Sequence, residues 1–276
     1  MNVVMGAVSG LDFLEIAPFL YSLQRSGFEG NLILYAQDES PDTVAQLRDH
    51  GVHIIEVDAP DALKTMRINC LRYFVYQQVL PTLSEDAEHV MLADIRDIVF
   101  QRDPFAFDID GRLCCFLEDK SMTIGSSIVN AGWIAAGYGR DALAEMQRRP
   151  ISCSGTTIGP LERIRDYVDT MVDGLREVSH RVPYITHVLG AIDQAVHNTL
   201  LFRDALGDVR LVPNENGPIL TMNYVPEDGV RFNDEGWVVS GDGTVINVLH
   251  QYDRHPALMP RILERLGLTL EPPAGA

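Results

Sequence analysis

The stretch Val90-Met91-Leu92-Ala93-Asp94-Ile95-Arg96-Asp97-Ile98-Val99-Phe100-Gln101-Arg102-Asp103-Pro104-Phe105 decides how the chain is read, because a short apolar run ends there in a knot of opposite charges. The run 90–93 has the length of a fully buried strand, and strands of α/β proteins carry functional side chains at their carboxyl ends. Asp94 occupies that end. Asp94 and Asp97 stand three positions apart with Arg96 between them, a grouping that is costly beside a core unless it holds an ion, since a desolvated charge has to be paired. A surface Asp–Arg turn leaving a strand is the plainer reading. Asp103-Pro104 then marks a turn.

Upstream, residues 3–8 form an apolar strand that stops at Ser9-Gly10. The helix after it carries Phe13, Leu14, Ile16, Phe19, Leu20 and Leu23 and ends at Gly27. A second strand over 31–35, a helix over 41–50 closed by Gly51, and a third strand over 52–57 follow. A long helix over 65–83 brings Met66, Cys70, Phe74, Val75 and Leu80 to the core and sets Arg67, Asn69 and Arg72 near its beginning. Arg72, on the helix feeding the Asp94 strand, either reaches a phosphate or belongs to a solvated, salt-bridged face. This alternation predicts an α/β fold, a mainly parallel central sheet with helices on both faces. Its βα loops gather a ligand at one edge, where Val8 and Ser9 also fall.

Downstream, 113–117 is another strand. Ser126-Ser127-Ile128-Val129-Asn130-Ala131-Gly132-Trp133-Ile134 sets small residues and an amide before an apolar stretch; Gly132 either lets backbone approach a ligand or marks a tight strand entry. Cys153-Ser154-Gly155-Thr156-Thr157-Ile158-Gly159-Pro160 reads as a loop opening a helix over 161–175. Ser154 and Gly155 there either bind a sugar or serve as an N-cap, and neither GxGxxG nor GKS/T is present. An apolar stripe from Ile185 to Leu200 predicts one amphipathic helix over 185–201. Asp193 and His197 lie four apart beside that stripe, with Gln194 adjacent, as a buried Asp–His hydrogen bond or as part of a cleft. Short strands at 210–213 and 217–222, a loop over 223–242, and a last strand running from Val245 into His250-Gln251-Tyr252-Asp253-Arg254-His255-Pro256 complete the chain. Residues 271–276 read as a loose tail.

The 276 residues and 46% hydrophobic content suit one large domain or two closely joined halves with a sizeable core. A net charge of −17, from 22 basic and 39 acidic residues, argues against nucleic acid, which needs a basic stripe. An anionic small molecule requires local arginines or a divalent metal to invert the field at its site. Residues 1–12 lack a basic leader, and no apolar run approaches the ~20 residues of a membrane span. Cys70, Cys114, Cys115 and Cys153 match no zinc spacing and read as reduced core thiols of a cytoplasmic protein, with Cys114 and Cys115 on opposite faces of their strand.

Two strands thus end in Asp94/Asp97 and His250, and in a parallel-rich sheet such ends share an edge. Two carboxylates with one imidazole suit Mn²⁺, or Mg²⁺ if waters replace the nitrogen. With Arg72, Arg96 and Arg254 they describe a diphosphate site.

In this order of elements, a DxD-like strand end, Asn130-Ala131-Gly132, Ile192-Asp193-Gln194, then Leu249-His250 before a basic residue and Pro256, the chain resembles nucleotide-sugar glycosyltransferases of the GT-A fold, most of all the retaining galactosyltransferase and glycogenin type. The resemblance implies a GT-A domain over 1–270, with a nucleotide-binding half over 1–110 and a sugar and acceptor half over 111–270. It assigns the metal to Asp94 and His250 and a donor contact to Arg72. The donor sugar falls to Asn130, Gly132, Asp193 and Gln194, with Asp193 and Gln194 beside the anomeric carbon. Arg96 stands where the second Asp of DxD belongs, with Asp97 the next carboxylate, and the ending lacks the glycine and tryptophan of His-x-x-Gly-x-x-Lys-Pro-Trp. The implied activity is transfer of a sugar from a nucleoside diphosphate donor, a UDP-sugar first, to a hydroxyl acceptor on a saccharide, natural product or protein, with retention and with Mn²⁺ preferred over Mg²⁺. The alternatives are an inverting transferase on the same fold and a nucleotide-sugar-binding module without catalysis. A sugar-1-phosphate nucleotidyltransferase would need a Gly-rich basic loop after strand one, which Val8-Ser9-Gly10-Leu11-Asp12 does not provide.

Overall fold

In the computed structural model, which describes residues 1–55, 63, 65–84 and 86–268, the first apolar run is strand β1 (Asn2–Ser9). Helix α1 (Phe13–Arg25) follows, started by a reciprocal cap: the Glu15 N–H donates to the Asp12 carboxylate, and the Asp12 N–H donates to that of Glu15. Strand β2 (Gly30–Gln37) leads to α2 (Pro41–Asp49), capped by Ser40 with Pro41 at its first position and closed by Gly51 at φ +80. Strand β3 (His53–Ile55) completes the first pattern, and the end of the strand expected at 52–57, like the tail at 271–276, lies outside the described residues.

The helix expected over 65–83 is shorter. It begins after Arg67, whose backbone is still extended, as α3 (Ile68–Val79), and ends in a 3₁₀ turn at Leu80–Thr82 where Pro81 lacks the next donor. Strand β4 (His89–Ala93) delivers Asp94 at its carboxyl end, as expected. Strands β5 (Ile98–Phe100) and β6 (Leu113–Leu117) come next.

Several expectations are corrected after β6. Residues 128–134 belong to a helix, α4 (Ile128–Tyr138), capped by the Ser127 hydroxyl, and α5 (Arg140–Met146) follows. Residues 153–160 are no loop. They belong to strand β7 (Ser152–Pro160), buried along nearly its whole length. Small hydroxylated and β-branched side chains concealed it, since they fit a tightly covered strand while lacking its apolar signature. Helix α6 (Leu161–Arg181) runs past the expected end, and the single helix expected over 185–201 is broken into α7 (Ile185–Val188) and α8 (Ile192–Phe202) by non-helical residues around Gly190. Strands β8 (Val209–Val212) and β9 (Ile219–Thr221) lie where expected. The supposed loop over 223–242 holds a 3₁₀ turn and the paired strands β10 (Arg231–Phe232) and β11 (Val238–Val239). Strand β12 (Val248–His250) and helix α9 (Met259–Arg265) close the described chain.

Seven strands form a mixed, mostly parallel sheet in the order β3-β2-β1-β4-β7-β6-β8, in which β7 runs antiparallel to both neighbours. One face packs against α3, α6 and α8, and the other against α1 and α2. Of the apolar residues that α1 carries, Leu14 points outward and is 71% exposed. Cys115 belongs to the first core and Cys114 to the second, as alternation along a strand requires, and all four cysteines are buried and free. A second sheet, β5-β12-β9, forms a third core with α9. His250 therefore does not end a strand of the main sheet. It comes to Asp94 from a separate sheet, through pairing of β12 with β5, the strand that follows Asp97. Among the described residues no helix is long and apolar enough to cross a membrane.

Candidate functional site

The carboxyl ends of β1, β4 and β6 open at one edge, and β7, running the other way, lays its amino-terminal half beside them. Asp94 continues from β4, and its N–H donates to the Gly155 carbonyl at 2.8 Å. A cleft of about 480 Å³ forms there. It is lined by Val8, Ser9, Asn69, Arg72, Asp94, Arg96, Asp97, Asn130, Ser154, Gly155, Asp193, Gln194 and Arg254, thirteen of the positions singled out in the sequence. His250 lies fully buried against it, close to Asp94, Asp97 and Gly155.

Arg72 is buried rather than solvated. Its Nη1 donates to Asp94 Oδ1, and its Nη2 to Asp193 Oδ2 at 3.1 Å and to the Ser154 carbonyl at 3.3 Å. Burial opposes the charge of Asp94, but the guanidinium and His250 outweigh it and hold the carboxyl well below the usual range. Burial pushes Asp193 up to about 6 against the pull of Arg72, with Asp94 adding to the rise. The Ser154 hydroxyl also donates to Asp193 Oδ2, at 3.0 Å.

On the other side of Asp94, His250 Nε2 lies 3.6 Å from Asp94 Oδ2 and 3.6 Å from Asp97 Oδ1. These distances exceed a direct hydrogen bond, and the buried nitrogen has no hydrogen-bond partner. The three ligand atoms lie within 4.8 Å of one another, so the cluster could hold a metal ion. Burial raises the Asp97 pKa, and the neighbouring Asp94 charge adds to it. A cation would relieve both that strain and the unpaired imidazole nitrogen. Cys153 Sγ sits 3.6 Å from the other ring nitrogen, Nδ1.

Gly155 is required by space. A Cβ there would stand 2.5 Å from Asp94 Oδ2 and 2.6 Å from His250 Cε1. Gly155→Ala is expected to destabilise by about 1–3 kcal/mol in urea unfolding, as overpacking does. It should also spread the three candidate ligand atoms and so weaken the binding of any divalent cation there, read by calorimetric titration with MnCl₂ as the probe. Wild-type values in both measurements would contradict this account.

Gln194 ties the far wall together. Its Nε2 donates to Glu118 Oε1 at 3.0 Å and to Asn130 Oδ1 at 2.9 Å, while its Oε1 accepts from the Ser154 N–H at 3.4 Å. Glu118 follows the last residue of β6, and burial pushes its carboxyl up to about 7. The strand-end rule that marks Asp94 marks Glu118 equally, but the neighbouring Asp119 gives the pair the look of a surface turn. Trp133, Tyr224 and Gln251 also line the cleft, without a signal in the linear pattern.

Two predicted residues stay outside. Arg67 is exposed at the turn before α3. Gly132 is exposed on α4 with open space beside it; in a helix, positions 130 and 132 face apart, so only Asn130 reaches the cleft. Nor do Asp193 and His197 pair. The His197 ring is buried between the Tyr167 hydroxyl at 2.9 Å and the Ser152 hydroxyl at 2.8 Å, and burial pushes its pKa down to about 3. Compared with known proteins, the chain matches no family model and no curated sequence.

Proposed function

We propose that the protein is a GT-A-type glycosyltransferase that moves a sugar from a nucleoside diphosphate sugar, a UDP-sugar first, to a hydroxyl acceptor with retention and with the help of a divalent cation. The observation that carries this reading is the orphaned His250 Nε2 facing Asp94 and Asp97, beside buried Arg72, in a chain of net charge −17. Asp94, Asp97 and His250 would hold the cation, Mn²⁺ before Mg²⁺ given the imidazole. When bound, it supplies positive charge opposite a leaving diphosphate. Arg72 keeps Asp94 ionised and oriented. Arg96 and Arg254, both about half exposed, flank the same side and share Asp253, at 3.0 Å and 3.8 Å. Sharing one carboxylate between two guanidinium groups, they leave positive charge available to the phosphates. Asp193 and Gln194 border the space left for the sugar.

An inverting course is the second reading, and Glu118 favours it, because a buried carboxyl poised near neutral pH is suited to take a proton from an acceptor hydroxyl. The anomeric configuration of the product separates the two.

The thermal unfolding midpoint with UDP, GDP and dTDP, each with and without Mn²⁺, tests the site. At a ligand concentration 100 times Kd, the native state gains about 2.7 kcal/mol. One nucleotide should raise the midpoint, and the rise should need both Mn²⁺ and Asp94, disappearing in Asp94→Asn. A rise indifferent to metal would move the charge-stabilising role to Arg96 and Arg254. No rise with any nucleotide would remove the transferase reading.

A further inference from the structure

Gln251 has a backbone in the left-handed region, φ +57 and ψ 35, which a long side chain adopts at a cost that glycine avoids. Its N–H donates to the Asp97 carbonyl at 2.7 Å, tying it to one arm of the carboxylate cluster. It directly follows His250 and lines the cleft with Asp94 and Asp97. Its side-chain Oε1 is buried and accepts no hydrogen bond. His250 Nε2 and Gln251 Oε1 are thus both buried and unpartnered, on consecutive residues of which the second lines the cleft with Asp94 and Asp97. A turn alone would be served better by glycine.

We propose that Gln251 is a fourth protein ligand, its amide Oε1 joining Asp94, Asp97 and His250 around a divalent cation. The proposal rests on the cation reading of that cluster. An uncharged amide oxygen is a hard donor suited to Mn²⁺ or Mg²⁺. It adds a ligand without adding negative charge, so the loaded site keeps its attraction for a diphosphate, which a third carboxylate would weaken. It also accounts for a strained backbone at a functional corner.

The experiment compares wild type, Gln251→Gly and Gln251→Glu by calorimetric titration with MnCl₂ alone and by metal-free thermal unfolding. Glycine relieves the backbone, so its metal-free midpoint should rise by about 2 °C, while its Mn²⁺ affinity should fall roughly tenfold. Gln251→Glu keeps an oxygen donor and should bind Mn²⁺ at least as tightly as wild type. Greater stability combined with weaker metal binding is a result that a purely structural role does not produce. Wild-type affinity in Gln251→Gly, or an equal loss in Gln251→Glu, would overturn the ligand assignment alone. If wild type itself binds no Mn²⁺, the cation reading fails and takes this assignment with it.

Discussion

Arg72→Met should lose about 3–5 kcal/mol of stability at pH 8 in urea unfolding, the usual consequence of stranding a buried charge. In the native protein one guanidinium bridges Asp94 and Asp193 and also reaches the Ser154 carbonyl, so its removal leaves two carboxylates without their cation and one carbonyl without a donor. The deficit should shrink as the pH falls. Asp193 already has a folded-state pKa raised to about 6, above its ordinary value of 3.8, and without Arg72 it rises further. For a carboxyl raised in this way, the penalty is full above the folded pKa and vanishes below the unfolded one. Wild type and variant should therefore draw together between pH 8 and pH 4. Arg72→Lys should rescue little, because a single ammonium cannot span both carboxylates as the planar fork does. A loss below 1 kcal/mol at pH 8 would mean that water reaches the pair.

Glu118→Gln should do the opposite at high pH. The Glu118 carboxyl is raised from 4.5 to about 7, so its protonated form favours the folded state below pH 4.5, and that contribution is lost as the pH rises through 7. At ~1.4 kcal/mol for each pH unit of displacement, the swing between pH 4 and pH 8 is about 3 kcal/mol. Glutamine keeps an oxygen to accept from Gln194 Nε2 and does not ionise. The variant should thus gain about 3 kcal/mol on wild type between pH 4 and pH 8, read from urea midpoints across that range. Parallel pH profiles would show that Glu118 is hydrated in the folded protein. The same variant bears on mechanism: an inverting transferase using Glu118 as base should lose transfer but keep nucleotide binding, whereas a retaining enzyme should keep much of both.

The linear pattern of this chain determined the α/β alternation through β3, the placing of Asp94 at a strand end, and the opposite faces of Cys114 and Cys115. All of these rest on local periodicity and strand geometry, which neighbouring residues settle among themselves. It also singled out Arg72, Asp193, Gln194 and His250, because charged or amide groups beside apolar runs need a reason to be there. Only tertiary structure decided what those groups touch. Ser152–Pro160 became a central strand because β4 and β6 supply its hydrogen bonds from either side, a benefit its own small polar residues do not advertise. Asn130 and Gly132 parted because their segment coiled into α4, and His197 left Asp193 for Tyr167 and Ser152. His250 reached the two aspartates from a second sheet, and Glu118 entered the cleft only when β6 paired with antiparallel β7. Each of these outcomes depends on contacts between residues far apart in the chain, where loop closure and shared burial, rather than local preference, set the free energy.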